Sequence, residues 1–326
     1  MRLGEIAILW LAPLLVCGCA QPPLPQSASP LVEKGAVLRY IFVPGQRTRY
    51  VLRSGFSSQT PGAPDAVISV SQEVEITQTI LASLPAGGAR VGLVVDRFKA
   101  VTSTPGQPSV EFDSGEDPEG THCPTELRGM AALVGKDVEV LQYATGEVQA
   151  VAGLAAIYRQ AANHLSPTEL QSLEHFLREL SHKPRGLFGL GVSFPREAVA
   201  AGRQWISDRG PFPIFCGQQV YRCRYELRDL SGEMASIEFT DDSGEAKEST
   251  ESTWKPLWTT RVHGAISFDT EKGLLSQMRG ESTTYLQVAG KMELRSKTAW
   301  ELSLLNEGSL TTDSTARSSG ENATKK

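Results

Sequence analysis

Residues 220–230 read VYRCRYELRDL, and their alternation decides the fold class. Tyr221, Cys223, Tyr225 and Leu227 alternate with Arg222, Arg224, Glu226 and Arg228. Successive side chains of a strand point to opposite faces, so a period of two gives one apolar and one charged face. Such a strand belongs in an antiparallel sheet with one side on a core and the other in water. Residues 70–80 repeat the pattern. Val70, Val74, Ile76 and Ile80 share a face with Gln72 and Gln78, and Ser71, Glu73, Glu75, Thr77 and Thr79 take the other.

Working outward from these two stretches, more strands appear. Pro85-Ala86-Gly87-Gly88 makes a turn, and residues 89–101 return as the pairing partner of 70–80. Residues 37–43, VLRYIFV, are dense in β-branched and aromatic residues and stop at Pro44-Gly45. They predict a strand, with 46–55 as its hairpin partner. Residues 57–66 carry Pro61, Gly62 and Pro64 and read as a loop. Residues 133–151 predict a hairpin with its turn at Ala144-Thr145-Gly146. Ser231-Gly232 leads from 220–230 into 235–240. Two further hairpins are expected, one from 260–269 with 274–279 and a last one from 283–290 with 292–305.

Between these β sections the period changes. Leu154, Ile157, Tyr158, Ala161 and Leu165 follow helical spacing. Ser166-Pro167-Thr168-Glu169 is a capping box, and Leu170, Leu173, Phe176, Leu177 and Leu180 form the stripe behind it. The expectation is a helical hairpin that caps an opening or an end of the sheet. A short helical piece is expected at 198–201. The fold class is therefore mainly β (α+β), with antiparallel sheets and a helical hairpin insert. Gly45-Gln46 before Tyr50 is echoed by Gly217-Gln218 before Tyr221, and each half ends in a Gly-bounded hairpin. This suggests two similar β lobes, 37–151 and 201–305, flanking a helical segment, 152–200. Residues 306–326 have the composition of a disordered tail.

The first nineteen residues, MRLGEIAILWLAPLLVCGC, set the expected address. Residues 6–16 are apolar apart from Pro13, the length of a signal-peptide core and short of the ~20 apolar residues that span a bilayer. Val16-Cys17-Gly18-Cys19 resembles the lipobox of bacterial lipoproteins. That resemblance implies removal of residues 1–18 and acylation of Cys19. Glu5 and Cys17 depart from the usual pattern. Ala20 stands where an inner-membrane retention signal would place Asp, which points to the outer membrane, facing the periplasm. Residues 19–36, rich in Pro, Ser and Gln, read as a lipid-anchored flexible tether.

Composition excludes several classes. The chain has 326 residues and a formal net charge of -5, with both signs interspersed. No basic block exists to attract a phosphate backbone, which argues against nucleic acid as a partner. After the first nineteen residues no apolar run reaches membrane-spanning length. Five cysteines are present, at 17, 19, 123, 216 and 223. A local Cys216–Cys223 disulfide, a link from Cys123 to either, and three buried thiols are the alternatives.

Chemistry is harder to find. His122, His164, His175, His182 and His263 show no metal-ligand spacing, and no nucleophile elbow or phosphate loop occurs. No cofactor is expected. Trp205, Tyr221, Tyr225, Trp254, Trp258 and Trp300 read as core. The acids Asp113, Glu116, Asp241 and Asp242 are the candidates for a hydrolase of envelope polymers, which needs two carboxylates about 5–10 Å apart.

The lipobox, the VPGQRTRY segment at 43–50, the Gly-bounded hairpins and FDTEKGLL at 268–275 together resemble a family of bacterial, planctomycete-type envelope lipoproteins of unknown function. The resemblance implies an envelope address and carries no activity or catalytic residue across. The functional expectation is a non-enzymatic envelope lipoprotein that binds an apolar ligand or an envelope partner, with the hydrolase as its alternative.

Overall fold

The computed structural model describes residues 35–60, 63–85, 87–163, 165–182, 192–207, 222–241, 257–288 and 291–305. Twelve strands run through them: β1 (Arg47–Thr60), β2 (Ala63–Leu84), β3 (Gly88–Ser103), β4 (Val110–Asp113), β5 (Asp137–Tyr143), β6 (Val148–Ala152), β7 (Gln204–Ser207), β8 (Cys223–Ser231), β9 (Met234–Asp241), β10 (Leu257–Asp269), β11 (Leu274–Val288) and β12 (Lys291–Leu305). They form one antiparallel sheet in the order β6-β5-β3-β2-β1-β12-β11-β10-β9-β8-β7, with β4 beside β3. Three α-helices, α1 (Arg128–Ala131), α2 (Leu154–Ala161) and α3 (Pro167–His182), and a 3-10 turn at Thr125–Leu127 complete the elements among the described residues.

The expected alternation is present. Cys223, Tyr225 and Leu227 are fully buried, while Arg224 and Arg228 are exposed. Cross-strand register turns that local pattern into rows. Leu227, Ile237, Ile266, Met278, Leu302, Leu52, Val74 and Phe98 lie opposite one another across eight strands, none more than 1% exposed. That row is the spine of the core. The next row on the same face holds Trp205, Tyr225, Phe239, Gly264, Gly280 and Trp300. Trp205 stacks on Tyr225 with ring centres 5.5 Å apart. The glycines are there because the large rings lie over them. A Cβ on Gly264 would stand 2.3 Å from the Phe239 ring, and one on Gly280 would stand 2.4 Å from Trp300.

Several expectations are corrected. The two β lobes are one sheet, because β1 pairs with β12 and joins the halves edge to edge. Residues 57–60 and 63–66 are strand, since β1 and β2 pair almost to their tips. Val110–Asp113, which ends in one of the candidate acids, is a strand on β3. Residues 274–279 and 283–288 are one strand, β11, which crosses Gly280 unbroken because the Trp300 ring fills the place of a side chain there. The helical piece at 198–201 is absent. Val199 instead pairs with Ala36 in an isolated antiparallel bridge. The capping box is realised: Ser166 N–H donates to Glu169 Oε2 at 2.9 Å and Glu169 N–H donates to Ser166 Oγ at 3.5 Å.

Residues 37–43 are extended but belong to no ladder. They form a strap across one end of the sheet. Leu38 and Tyr40 are buried and Phe42 half-buried, while Val37, Arg39, Ile41 and Val43 face out. Tyr40 N–H donates to Ala144 O in the β5–β6 turn, and Ile41 N–H donates to Gly273 O in the β10–β11 turn. In the strand order β5 and β11 are five places apart, about 24 Å in a flat sheet. Adjacent residues are 3.8 Å apart along the chain, so the sheet must curl at this end to reach both. The Tyr40 ring fills the end of that curl, 5.3 Å from Phe268 and 5.5 Å from Phe194. Burial without a charged partner pushes the hydroxyl pKa of Tyr40 far above its ordinary range.

Candidate functional site

The opposite side of the same strands is charged. One residue along from the apolar spine, the register places Asp113, Lys99, Glu73, Arg53, Glu301, Arg279, Ala265, Glu238 and Glu226 in one row. Sign alternates from Asp113 to Arg279. Opposite charges directly across strands attract, so this order supports the register that the apolar row demands. Arg53 Nε donates to Glu73 at 2.9 Å, and Lys99 Nζ lies 3.7 Å from the same carboxylate. Arg228 bridges Glu226 and Glu238.

An open trough of about 1040 Å³ runs along this face from β3 to β9. Its floor is made of small residues: Gly55, Ser71, Ala265 and Ala299. The rings under Gly264 and Gly280 support that floor from the apolar side. The walls carry Arg53, Lys99, Glu238, Glu301, Arg279, Glu281 and His263. Arg279, Glu281 and His263 are exposed and hold no hydrogen bond or ion pair among the described residues. The trough therefore offers free charge of both signs above a backbone-rich floor.

A second hollow, of about 800 Å³, lies between α2 and the 112–136 segment. Phe112, Cys123, Val134, Ile157 and Leu165 contribute apolar surface, and Arg128, Lys136 and Gln160 contribute polar groups. Arg128 is held by an ion pair to Glu169 at 2.5 Å and by its 3.3 Å hydrogen bond to Cys123 O. These bonds tie α3 and the cysteine loop to α1.

The candidates from sequence are scattered. Cys19, Cys216 and Asp242 lie outside the described residues. Cys223 is fully buried on β8, and Cys123 is buried beside the second hollow. Asp113 is gripped by Arg97 through two bonds of 2.9 and 2.5 Å and accepts Gly115 N–H. The Arg97 guanidinium holds its carboxyl below the ordinary aspartate range. Asp241 accepts Val262 N–H at 3.1 Å. Strands β3, β2, β1, β12, β11 and β10 separate β4, which ends at Asp113, from β9, which ends at Asp241. Glu116 follows Asp113 in its turn. His122 Nδ1 lies 3.3 Å from Asp117 and is largely exposed. Among the described residues no group of three or more His, Cys, Asp or Glu could hold a metal ion, and no helix is long and apolar enough to cross a membrane.

The trough residues were missed in the sequence because they come from seven strands. Alternation marks each as outward-facing, but only register shows that they converge.

No family model matches the chain, and no curated protein matches it. Among solved structures, the chain is similar to lipovitellin, in a structure concerned with its lipid–protein interactions, at 11% identity and a TM-score of 0.47. That match covers 82% of this chain and 26% of the lipovitellin chain, so this chain spans about a quarter of it. DynF, from the dynemicin biosynthesis pathway of Micromonospora chersina, matches at 9% identity with a TM-score of 0.21, covering 87% of this chain and 92% of that one.

Proposed function

We propose that this protein is a non-enzymatic lipoprotein of the cell envelope. Residues 1–18 export it, and acylated Cys19 holds it at the outer membrane, facing the periplasm. The β body presents its charged trough to an extended segment of an envelope protein. The observation that carries this reading is the trough itself: about 1040 Å³, open along its length, with Arg279, Glu281 and His263 uncommitted on its walls. A polypeptide with both charges would match those walls, and its backbone could approach closely over a floor that lacks large side chains. The described acids favour binding over hydrolysis. Asp113 and Asp241 end strands that six others separate, where hydrolysis needs two carboxylates about 5–10 Å apart in one cleft.

The test is a photo-crosslinking residue placed at Ala265 or Ala299, with one at exposed Val67 outside the trough as control. One defined adduct from the trough positions, lost in Arg279→Glu, is expected. Equal labelling from all three positions overturns the reading. Exchanging Cys19 for Ser should abolish palmitate incorporation, which tests the anchor separately.

The hollow beneath α2 favours a second reading, a small amphiphile with its tail toward Phe112 and Ile157 and its head toward Lys136. Native mass spectrometry showing a lipid bound to the wild type and absent from Ile157→Trp would favour it over the trough.

A further inference from the structure

We propose that the strap end of the β body rests on the surface of the membrane that holds the anchor, with Ile41, Val43, Leu81 and Met234 against the lipid. This rests on the reading of Cys19 as the lipidated residue. The four side chains are exposed by 43%, 54%, 46% and 38%. They come from three elements, and backbone bonds connect them around one rim. Leu81 follows Ile80, which exchanges hydrogen bonds with Gly45 and Gln46 just beyond Val43. Ile41 N–H donates to Gly273 O in the β10–β11 turn. Thr270 in that same turn donates to Glu233 O, beside Met234. Apolar side chains left outside on a rim fit a partner that is itself apolar and broad.

The opposite end of the sheet also exposes apolar residues, Phe56, Val67, Ile68 and Val110. Chain length decides between the two ends. Residues 20–34 separate Cys19 from the described body, and fifteen residues reach at most about 50 Å. β1 starts beside the strap and carries the sheet about 45 Å to its far tip. The far end could touch the anchoring membrane only if the connecting chain were drawn almost taut. The strap end meets it with slack to spare. The same rim exposes Arg39, Arg47 and Lys272 beside Glu233 and Glu271, so its charge is mixed and the apolar side chains make the contact with lipid. The trough would then open sideways, parallel to the membrane surface, within reach of periplasmic partners.

The test uses the full chain, purified from membranes and reconstituted into vesicles of phosphatidylethanolamine and phosphatidylglycerol doped with a carbene-generating phospholipid. After irradiation, peptides containing Ile41, Val43 and Met234 should carry on the order of fivefold more label than those containing Phe56 or Ile68, as expected for side chains seated at the acyl boundary. The double variant Ile41→Asp/Val43→Asp should lose that label and stay on the vesicles. Label confined to the first residues after Cys19, or concentrated at Phe56 and Ile68, overturns the proposal. The mass of the intact chain reports separately on the anchor. Should Cys19 prove unacylated, flotation of the same chain with these vesicles decides. Retention that Ile41→Asp/Val43→Asp abolishes upholds the surface, and no retention overturns it.

Discussion

The residues at 52 and 53 on β1 face opposite ways, and the two rows they begin obey different physics. The Leu52 row is apolar and nearly sealed from water across eight strands. The Arg53 row is charged, alternates in sign from Asp113 to Arg279 and is open to water. Burial of aliphatic side chains is worth about 1.5–3 kcal/mol each, whereas an exposed ion pair contributes about 0–1 kcal/mol. The apolar row therefore supplies stability, and the charged row supplies register and recognition. A sheet divided in this way can change its ligand-facing side with little risk to the fold.

The sharpest way to break this comparison is Leu52→Ala. It removes a side chain packed between Val74 and Leu302 in a fully buried row. The expected loss is about 2–5 kcal/mol, read from the midpoint of urea unfolding. Arg53→Ala, one residue along, should cost about 1 kcal/mol or less. Equal losses would show that the two faces are not divided as described. Gly264→Ala tests the support beneath the trough. Its Cβ would meet both Arg279 O and the Phe239 ring at 2.3 Å. Overpacking of that kind costs about 1–3 kcal/mol, and because Gly264 lines the trough, the crosslinking yield at Ala265 should fall with it.

How far the sequence discloses all this depends on whether the information is local. Alternation at 223–228 and the capping box at 166–169 are local, and both are realised residue for residue. The hairpin at 137–152 is equally local, its turn set by Gly146 at a φ of 87°. VLRYIFV has the composition and period of a strand, yet it forms the strap. What distinguishes it is the set of acceptors its N–H groups find, Ala144 and Gly273, which lie in distant turns. The continuity of β11 was hidden for a related reason. Gly280 reads as a break until Trp300, twenty residues later, is seen to occupy its space. Neither the charged row nor the trough has any local signature. Lys99, Glu73, Arg53 and Glu301 become neighbours only through register.

A finer comparison sets the Arg97–Asp113 pair against the freer charges of the trough. Asp113 is held below its ordinary pKa first by its hydrogen bonds from Arg97. The pair's contribution is therefore complete above the unfolded carboxylate value of about 4 and is lost as pH falls through the lower folded value. Asp113→Asn should cost about 1 kcal/mol near neutral pH, as a bidentate and half-shielded pair warrants. The variant should also lose part of the acid-induced drop in stability. A variant whose acid limb matches the wild type would show that Arg97 gains nothing from this carboxylate.

The smallest effect belongs to the strap end. Glu233 and Glu271 occupy neighbouring turns there, and the hydrogen bond that Glu271 makes with Glu233 raises the Glu233 pKa above the usual glutamate range. The folded state then binds a proton more readily than the unfolded chain. Its share of stability is present below the unfolded value and disappears as pH rises through the folded one. At neutral pH the two carboxylates repel, so Glu233→Gln should melt slightly higher than the wild type. That advantage should vanish on acidification, because the proton then does what the amide does. The gain is small because both groups face water, and salt should shrink it further. A gain that persists unchanged in acid would trace it to the new amide's own hydrogen bonds and remove the carboxyl pair from the account. If the strap end rests on an anionic membrane, the local proton concentration there exceeds that of the bulk. The same variant measured on vesicles should therefore show a smaller advantage than in solution, which ties the titration of this one pair to the way the body sits.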